Sequence, residues 1–184
     1  MSTARATLDP RTVDPFPAYD QEIERLQSFL HGLDESGWSA PSLCAAWSVK
    51  DVAAHLASIE VYNEACLEGK LRVLHFSGNP DDWNEQGVAE RRRMKYEEVL
   101  AEWERRQRRI RDKWGRIGLD STIQTSAGPY PLRLQVWHHA MEYATHADDI
   151  EVPVPANERE ARLGWRTAQR ASASLWTRSR RVWA

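Results

Sequence analysis

Apolar residues recur along this chain at the three-and-four spacing of helices, in blocks separated by glycine and proline. Tyr19, Ile23, Leu26, Leu30 and Leu33 form the first stripe, which predicts an amphipathic helix ended by Gly37 and Pro41. The residues before it, 1–18, are polar and carry Pro10, Pro15 and Pro17, so they read as an extended arm. Ser48 followed by Asp51 is a capping-box pattern with Asp in place of the usual Glu. A second helix is therefore predicted from near Val49 to Gly69, its inward face Val52, Leu56, Ile59, Asn63 and Cys66. Residues 70–87 hold Gly78, Asn79, Pro80 and Gly87 and read as a long crossover loop. Tyr96, Leu100, Trp103, Ile110, Trp114 and Ile117 mark a third, long helix closed by Gly118. β-Formers around Ser126-Ala127-Gly128-Pro129 predict a short hairpin or irregular segment. A fourth helix runs from about Leu132 to Asp149, before Pro153 and Pro155 break the chain. Trp165, Ala168, Leu175, Trp176, Val182 and Trp183 predict a fifth. The pattern is that of an all-α chain. It has an arm (1–18), a four-helix bundle with a long crossover between helices 2 and 3 (19–150), and a C-terminal helical extension (151–184).

Composition narrows the functional classes. The 184 residues suffice for one domain with a real core, and a net charge of −2 offers no bulk attraction to nucleic acid or an anionic membrane. Cys44 and Cys66 are too few for a disulfide framework, and both read as small buried residues, not nucleophiles. The N-terminus has no apolar signal-like stretch and no run is long enough to span a bilayer, so a cytoplasmic protein is expected. The stretch Arg105-Arg106-Gln107-Arg108-Arg109-Ile110-Arg111 is interleaved with Glu97, Glu98, Glu102 and Glu104 and reads as a solvated helix face.

Chemistry concentrates in two places. His55 lies at the edge of the Val52/Leu56/Ile59 face of the second helix. On the fourth helix Val136, Ala140, Ala144 and Ala147 form a stripe of small residues that admits a close neighbour. Beside it His139, Glu142 and His146 fall within roughly 60° on a helical wheel. Burying Glu142 uncompensated is costly, and a divalent cation is the usual compensation. His55, Glu142 and His146 are therefore the expected metal ligands, leaving positions open for chemistry. His139 is read as a fourth ligand or, by preference, a partner behind the ligands with a weak catalytic claim. Asp149 is a second candidate for orienting a ligand histidine. His138 points away from this stripe; His31 and His75 read as surface or loop residues. Trp83, Trp137 and Tyr143 are candidates for a cavity wall, or for core.

These residues resemble a known family. Trp38-x-x-Pro41-Ser42-x-Cys44-x-x-Trp47-Ser48-Val49-Lys50-Asp51-Val52-x-x-His55-Leu56 is similar to the N-terminal signature of the mycothiol-dependent maleylpyruvate isomerase family, in the DinB/YfiT-like superfamily. Asn84-x-x-x-Val88, Gly128-Pro129-x-Pro131-Leu132 and Glu142-x-x-x-His146-x-x-Asp149-Ile150 continue it in order, over roughly residues 20–150. The resemblance implies a DinB-like four-helix bundle with His55, Glu142 and His146 as ligands. It also implies a divalent metal, first Zn2+ with Ni2+ or Fe2+ as alternatives, and mycothiol as thiol cosubstrate. Fuller members carry a separate C-terminal domain where this chain continues with about one helix. Maleylpyruvate itself is therefore not the expected substrate. A position often Arg in relatives is taken here by the His138-His139 pair.

The expected function is metal-dependent activation of a low-molecular-weight thiol, for S-transfer to or isomerisation of a small electrophile. The partners are then small molecules, with neither nucleic acid nor membrane. The rival readings are a non-catalytic metal-binding stress or sequestration protein, and a scaffold of the same superfamily that dimerises through Trp176 and Trp183.

Overall fold

The computed structural model describes residues 8–74 and 79–180, with backbone alone for Pro80 and residues 171–180. Its elements are α1 (Phe16–His31), α2 (Glu35–Ser39), α3 (Val49–Glu68), α4 (Pro80–Ala89), α5 (Tyr96–Ile117), β1 (Thr122–Thr125), β2 (Gly128–Pro131), α6 (Leu132–Asp149) and α7 (Ala156–Arg180). The fold is all-α apart from this one antiparallel hairpin, whose register pairs Thr122 with Pro131 and Thr125 with Gly128. α1, α3, α5 and α6 are the four bundle helices; α3 lies close to α5, and α1 close to α6. The alanine stripe of α6 makes that last approach feasible: Ala140, Ala144 and Ala147 are wholly buried.

Aromatic residues fill the centre. Tyr19, Trp103, Trp114 and Tyr143 are completely buried. The Tyr19 ring lies 5.6 Å from Trp114 and 5.4 Å from Tyr143, with Trp103 5.9 Å from Tyr143. Edge-on pairs of this kind contribute about 0.5–1.5 kcal/mol each beyond burial. Arg162 ties α7 to the bundle, donating to Glu22 Oε1 (2.8 Å), Asp148 Oδ1 (2.7 Å) and the Ala144 carbonyl (2.7 Å).

Three boundaries differ from the sequence pattern. α1 starts at Phe16, so the last three residues of the predicted arm are helical. Asp14 Oδ1 takes the Phe16 N–H at 2.9 Å, and Pro17 sits in the first turn, where a missing N–H costs nothing. α1 stops at His31 rather than near Gly37, because Asp34 caps the new short helix α2 by accepting from Gly37 N at 2.8 Å. The predicted crossover loop contains a 3-10 turn at Leu71–Leu74 and all of α4. Asn79 caps α4, with Pro80 at its start and Asp81 and Asp82 in its first turn. His75 and Gly78 of that segment, and Val182 and Trp183, lie outside the described residues.

α4 is drawn tightly onto α3. A Cβ at Gly87 would stand 2.6 Å from Ser58 Cβ, so only glycine allows this approach. Buried Arg91, just past α4, donates to both carboxylate oxygens of Glu102 on α5 (2.9 and 2.8 Å) and to the Gly87 carbonyl (2.8 Å). The basic face of α5 is largely neutralised within the bundle: Arg106 pairs with Glu64 and Glu102, Arg109 with Glu64 and Glu68, and Arg111 with Asp20. No described helix is long and apolar enough to cross a membrane.

α3 and α6 face each other through polar groups. Tyr143 O–H donates to Glu60 Oε1, and Asn63 Nδ2 donates to Glu60 Oε2 at 3.0 Å. Asn63 also meets His139 Nδ1 at 3.3 Å, and Gln135 donates to Asn63 Oδ1 at 3.3 Å. Glu60 is completely buried, and its carboxyl is pushed up to about 7, chiefly by burial and against those two hydrogen bonds.

Two predictions follow from this packing. Gly87→Ala should destabilise the fold by about 1–3 kcal/mol in denaturant unfolding, and adding Ser58→Gly should restore much of the loss. For Glu60, the folded state binds the proton more tightly than an unfolded chain with its pKa near 4.5. Its contribution to stability is therefore complete below pH 4.5 and lost as pH rises through about 7, at most about 3 kcal/mol. Thermal denaturation should show Tm falling across that window, and Glu60→Gln should flatten the slope.

Candidate metal centre

The first ligand candidate is positioned by a cap. Ser48 Oγ accepts from Asp51 N at 3.2 Å while Asp51 Oδ2 accepts from Ser48 N at 3.0 Å, closing the capping box that starts α3. His55 follows two turns in and is buried, with the Trp47 ring 5.1 Å away. The second and third candidates are one turn apart on α6: His146 Nε2 lies 3.7 Å from Glu142 Oε2. The His55 and His146 rings meet edge-on with centroids 4.7 Å apart. One ligand atom from each of His55, Glu142 and His146 falls within 4.8 Å of the others, so the structure brings the three together.

The electrostatics suit a cation. Burial, and then the neighbouring His146, pushes His55 down to about 3, so its imidazole is neutral, the form that binds metal. Its Nδ1 is buried and has no hydrogen-bond partner among the described residues. Two imidazoles and one carboxylate, one imidazole nitrogen unsatisfied, form a donor set that fits a divalent ion with open coordination positions. Asp149 Oδ2 sits 3.0 Å from His146 Nδ1, which fixes that proton and turns the Nε2 lone pair toward Glu142.

Asp149 is itself anchored. Cys44 Sγ donates to its Oδ2 at 3.2 Å, and its backbone carbonyl accepts from Leu43 N at 2.8 Å. Ser42 Oγ gathers the same loop, donating to Trp47 O at 2.9 Å and accepting from Cys44 N at 3.1 Å. Cys44 is only partly buried, contrary to the sequence expectation, because its loop rims a cavity. Burial, with Asp149 beside it, pushes its thiol up to about 11, so it stays protonated.

The other histidines separate by environment. His139 is buried away from the triad's hydrogen bonds, its ring nitrogens meeting Asn63 and Gln135 (3.3 and 2.9 Å), and burial holds it neutral. The neutral ring has one lone pair, and an amide faces each of its nitrogens. His138, read from the wheel as pointing away, is half-exposed and lies 3.6 Å from Glu142 Oε1. His31 bonds Glu104 on the surface at 2.8 Å.

The triad opens into a cavity of about 1070 Å3. Trp47, Tyr62, Trp83, Tyr130, Gln135, His138 and His139 contribute to its wall, with Asp81, Asp82 and Glu85 from α4 and Ser126 and Ala127 from the hairpin tip. Of the three aromatic wall candidates only Trp83 lines it. Tyr143 is in the aromatic core, and Trp137 packs 5.7 Å from Trp165 of α7. Tyr62 O–H pins the hairpin tip at Ser126, 3.1 Å from both N and Oγ.

Comparison with known proteins gives a family and a fold. No curated protein matches the chain. The family model for the mycothiol maleylpyruvate isomerase N-terminal domain matches residues 19–151. The crystal structure of the mycothiol-dependent maleylpyruvate isomerase aligns with TM-score 0.63 at 14% identity, over 79% of this chain and 64% of that one. A histidine-to-alanine mutant of the isomerase gives TM-score 0.62 at 14% identity, over 80% and 65%. The chain thus spans just under two thirds of those structures, and shares their DinB-like bundle. From the match over 19–151, the chain belongs to the mycothiol maleylpyruvate isomerase N-terminal domain family.

Proposed function

We propose that this protein is a divalent-metal-dependent enzyme that activates a low-molecular-weight thiol, mycothiol being the first candidate, for S-transfer to or isomerisation of a small electrophile. The observation that carries this reading is the convergence of His55, Glu142 and His146 at a cavity of about 1070 Å3. Such a volume exceeds what an ion alone needs, and this favours turnover over sequestration. When bound, the metal, with Zn2+ the first candidate, lowers the pKa of a coordinated thiol so that it is a nucleophile near neutral pH.

The chain's own residues do the rest. His55, Glu142 and His146 hold the ion, and Asp149 keeps the Nδ1 proton on His146 so that Nε2 stays available. Cys44, as a thiol donor, keeps the Asp149 carboxylate in place. The hydrogen-bonded pair His139 and Gln135 forms a neutral wall, and half-exposed His138 is the imidazole best placed to exchange protons with the cavity. The aromatic wall from Trp47, Tyr62, Trp83 and Tyr130 displaces water around a bound electrophile. The match to the maleylpyruvate isomerase structures supports the thiol assignment through the family, and leaves the electrophile to be found by experiment.

Metal analysis tests the centre. Purified wild-type protein should carry about one divalent ion per chain, and His55→Ala and His146→Ala should each lose it; unchanged metal in both variants would sink the proposal. Asp149→Asn should weaken metal affinity about 10–100-fold while leaving the far-ultraviolet CD spectrum intact. Adding mycothiol to Co2+-substituted protein should produce a thiolate-to-metal absorption band, absent in the His55→Ala variant.

A further inference from the structure

The cavity carries a charge pattern that the cation centre does not require. Its described lining residues include no lysine and no arginine. Asp81, Asp82 and Glu85 stand along its α4 side. Glu85 has a cation of its own, Arg92 Nη2 at 2.7 Å from Oε1, and Trp47 Nε1 of the wall donates to its Oε2 at 3.0 Å. Asp81 and Asp82 are exposed and pair with no cation among the described residues. Both sit in the first turn of α4, where the helix dipole suits negative charge and gives them a structural reason to coexist. Around them the wall is aromatic: the Tyr62 and Trp83 rings meet edge-on at 6.2 Å, and Trp47 stands against His55. At the inner end His55 Nδ1 is buried without a hydrogen-bond partner among the described residues.

A dicarboxylate entering this space would pass two carboxylates with no cation to compensate. An organic ammonium would meet carboxylates and aromatic rings together, the combination that recognises such cations. A bound divalent ion does not remove the asymmetry, because it offsets Glu142 at the inner end and leaves Asp81 and Asp82 unbalanced at the solvent side.

We propose that the electrophile taken by this cavity is an amine-bearing small molecule, its ammonium beside Asp81 and Asp82 and its apolar body against Trp47 and Trp83, and that dicarboxylates are excluded. The inference rests on reading the cavity as the substrate site of a metal-dependent enzyme. The charge of its wall, however, belongs to the chain whatever the triad holds.

The test uses matched probes, benzylammonium, phenylacetate and fumarate, titrated against tryptophan fluorescence in chelator-treated and in zinc-reconstituted protein. Benzylammonium should bind at least tenfold more tightly than either anion in the chelator-treated protein. The double variant Asp81→Asn/Asp82→Asn should lose at least fivefold of that affinity, with zinc affinity and CD spectrum unchanged. Equal or tighter binding of an anion to the metal-free protein overturns the proposal. So does the absence of benzylammonium binding at millimolar concentration, or an unaltered affinity in the folded double variant. The wild-type comparison decides even where the variant does not fold. Zinc binding without the cation preference removes the charge assignment and keeps the enzyme reading. The preference without zinc binding does the reverse.

Discussion

The structure depends on satisfying the polar groups buried between α3 and α6. His55 meets His146 while Asn63 meets His139 and Gln135, so the two helices run antiparallel in one fixed register. A buried polar group left without a partner costs about 1–3 kcal/mol, which makes a slip of one turn expensive. At the Asn63 end, Glu60, Tyr143, His139 and Gln135 complete one another from within the chain. At the His55 end the same demand stays open, because the Nδ1 of His55 finds no partner among the described residues. The closed half holds the helices in place, and the open half lies at the cavity.

Around that seam, other elements specialise. The aromatic cluster of Tyr19, Trp103, Trp114 and Tyr143 supplies the non-directional cohesion, with α1 and α5 as its outer walls. Arg162 reaches from α7 to Glu22 of α1 and to Asp148 and the Ala144 carbonyl of α6, so the last helix braces the end of α6 that carries His146 and Asp149. Asp149 in turn joins His146 to the loop before α3 through Cys44 and Leu43. The orientation of His146 is thus coupled to the same backbone that leads into the helix bearing His55.

What was readable in the sequence was what local physics encodes. The Ser48–Asp51 box marks the start of α3 with no knowledge of the rest of the chain, and thereby the place of His55 within the helix. The four-residue spacing of Glu142 and His146 puts them on one face by helix geometry alone. The periodicity does not reveal α4, because its apolar content is little more than Trp83 and Val88. Its Asn79-Pro80-Asp81-Asp82 start signal was visible, but it read as loop beside two glycines. A helical wheel gives an angle, not a neighbour. It therefore set His138 aside without showing that the cavity opens on that side, and it did not separate Trp83 on the wall from Trp137 and Tyr143 in the core. The pairing of Asn63 with His139 joins positions 76 residues apart and exists only once both helices are packed.

The Tyr62 phenol fastens the hairpin tip to α3, and α4 seats closely on α3 at Gly87. The cavity wall joins Tyr62, Gln135 and His138 of the bundle helices to Trp47, Trp83 and Ser126 of the connecting segments, while the three ligand candidates come from bundle helices alone. Substitutions in the connections can therefore reshape part of that wall without touching the helices that carry the triad.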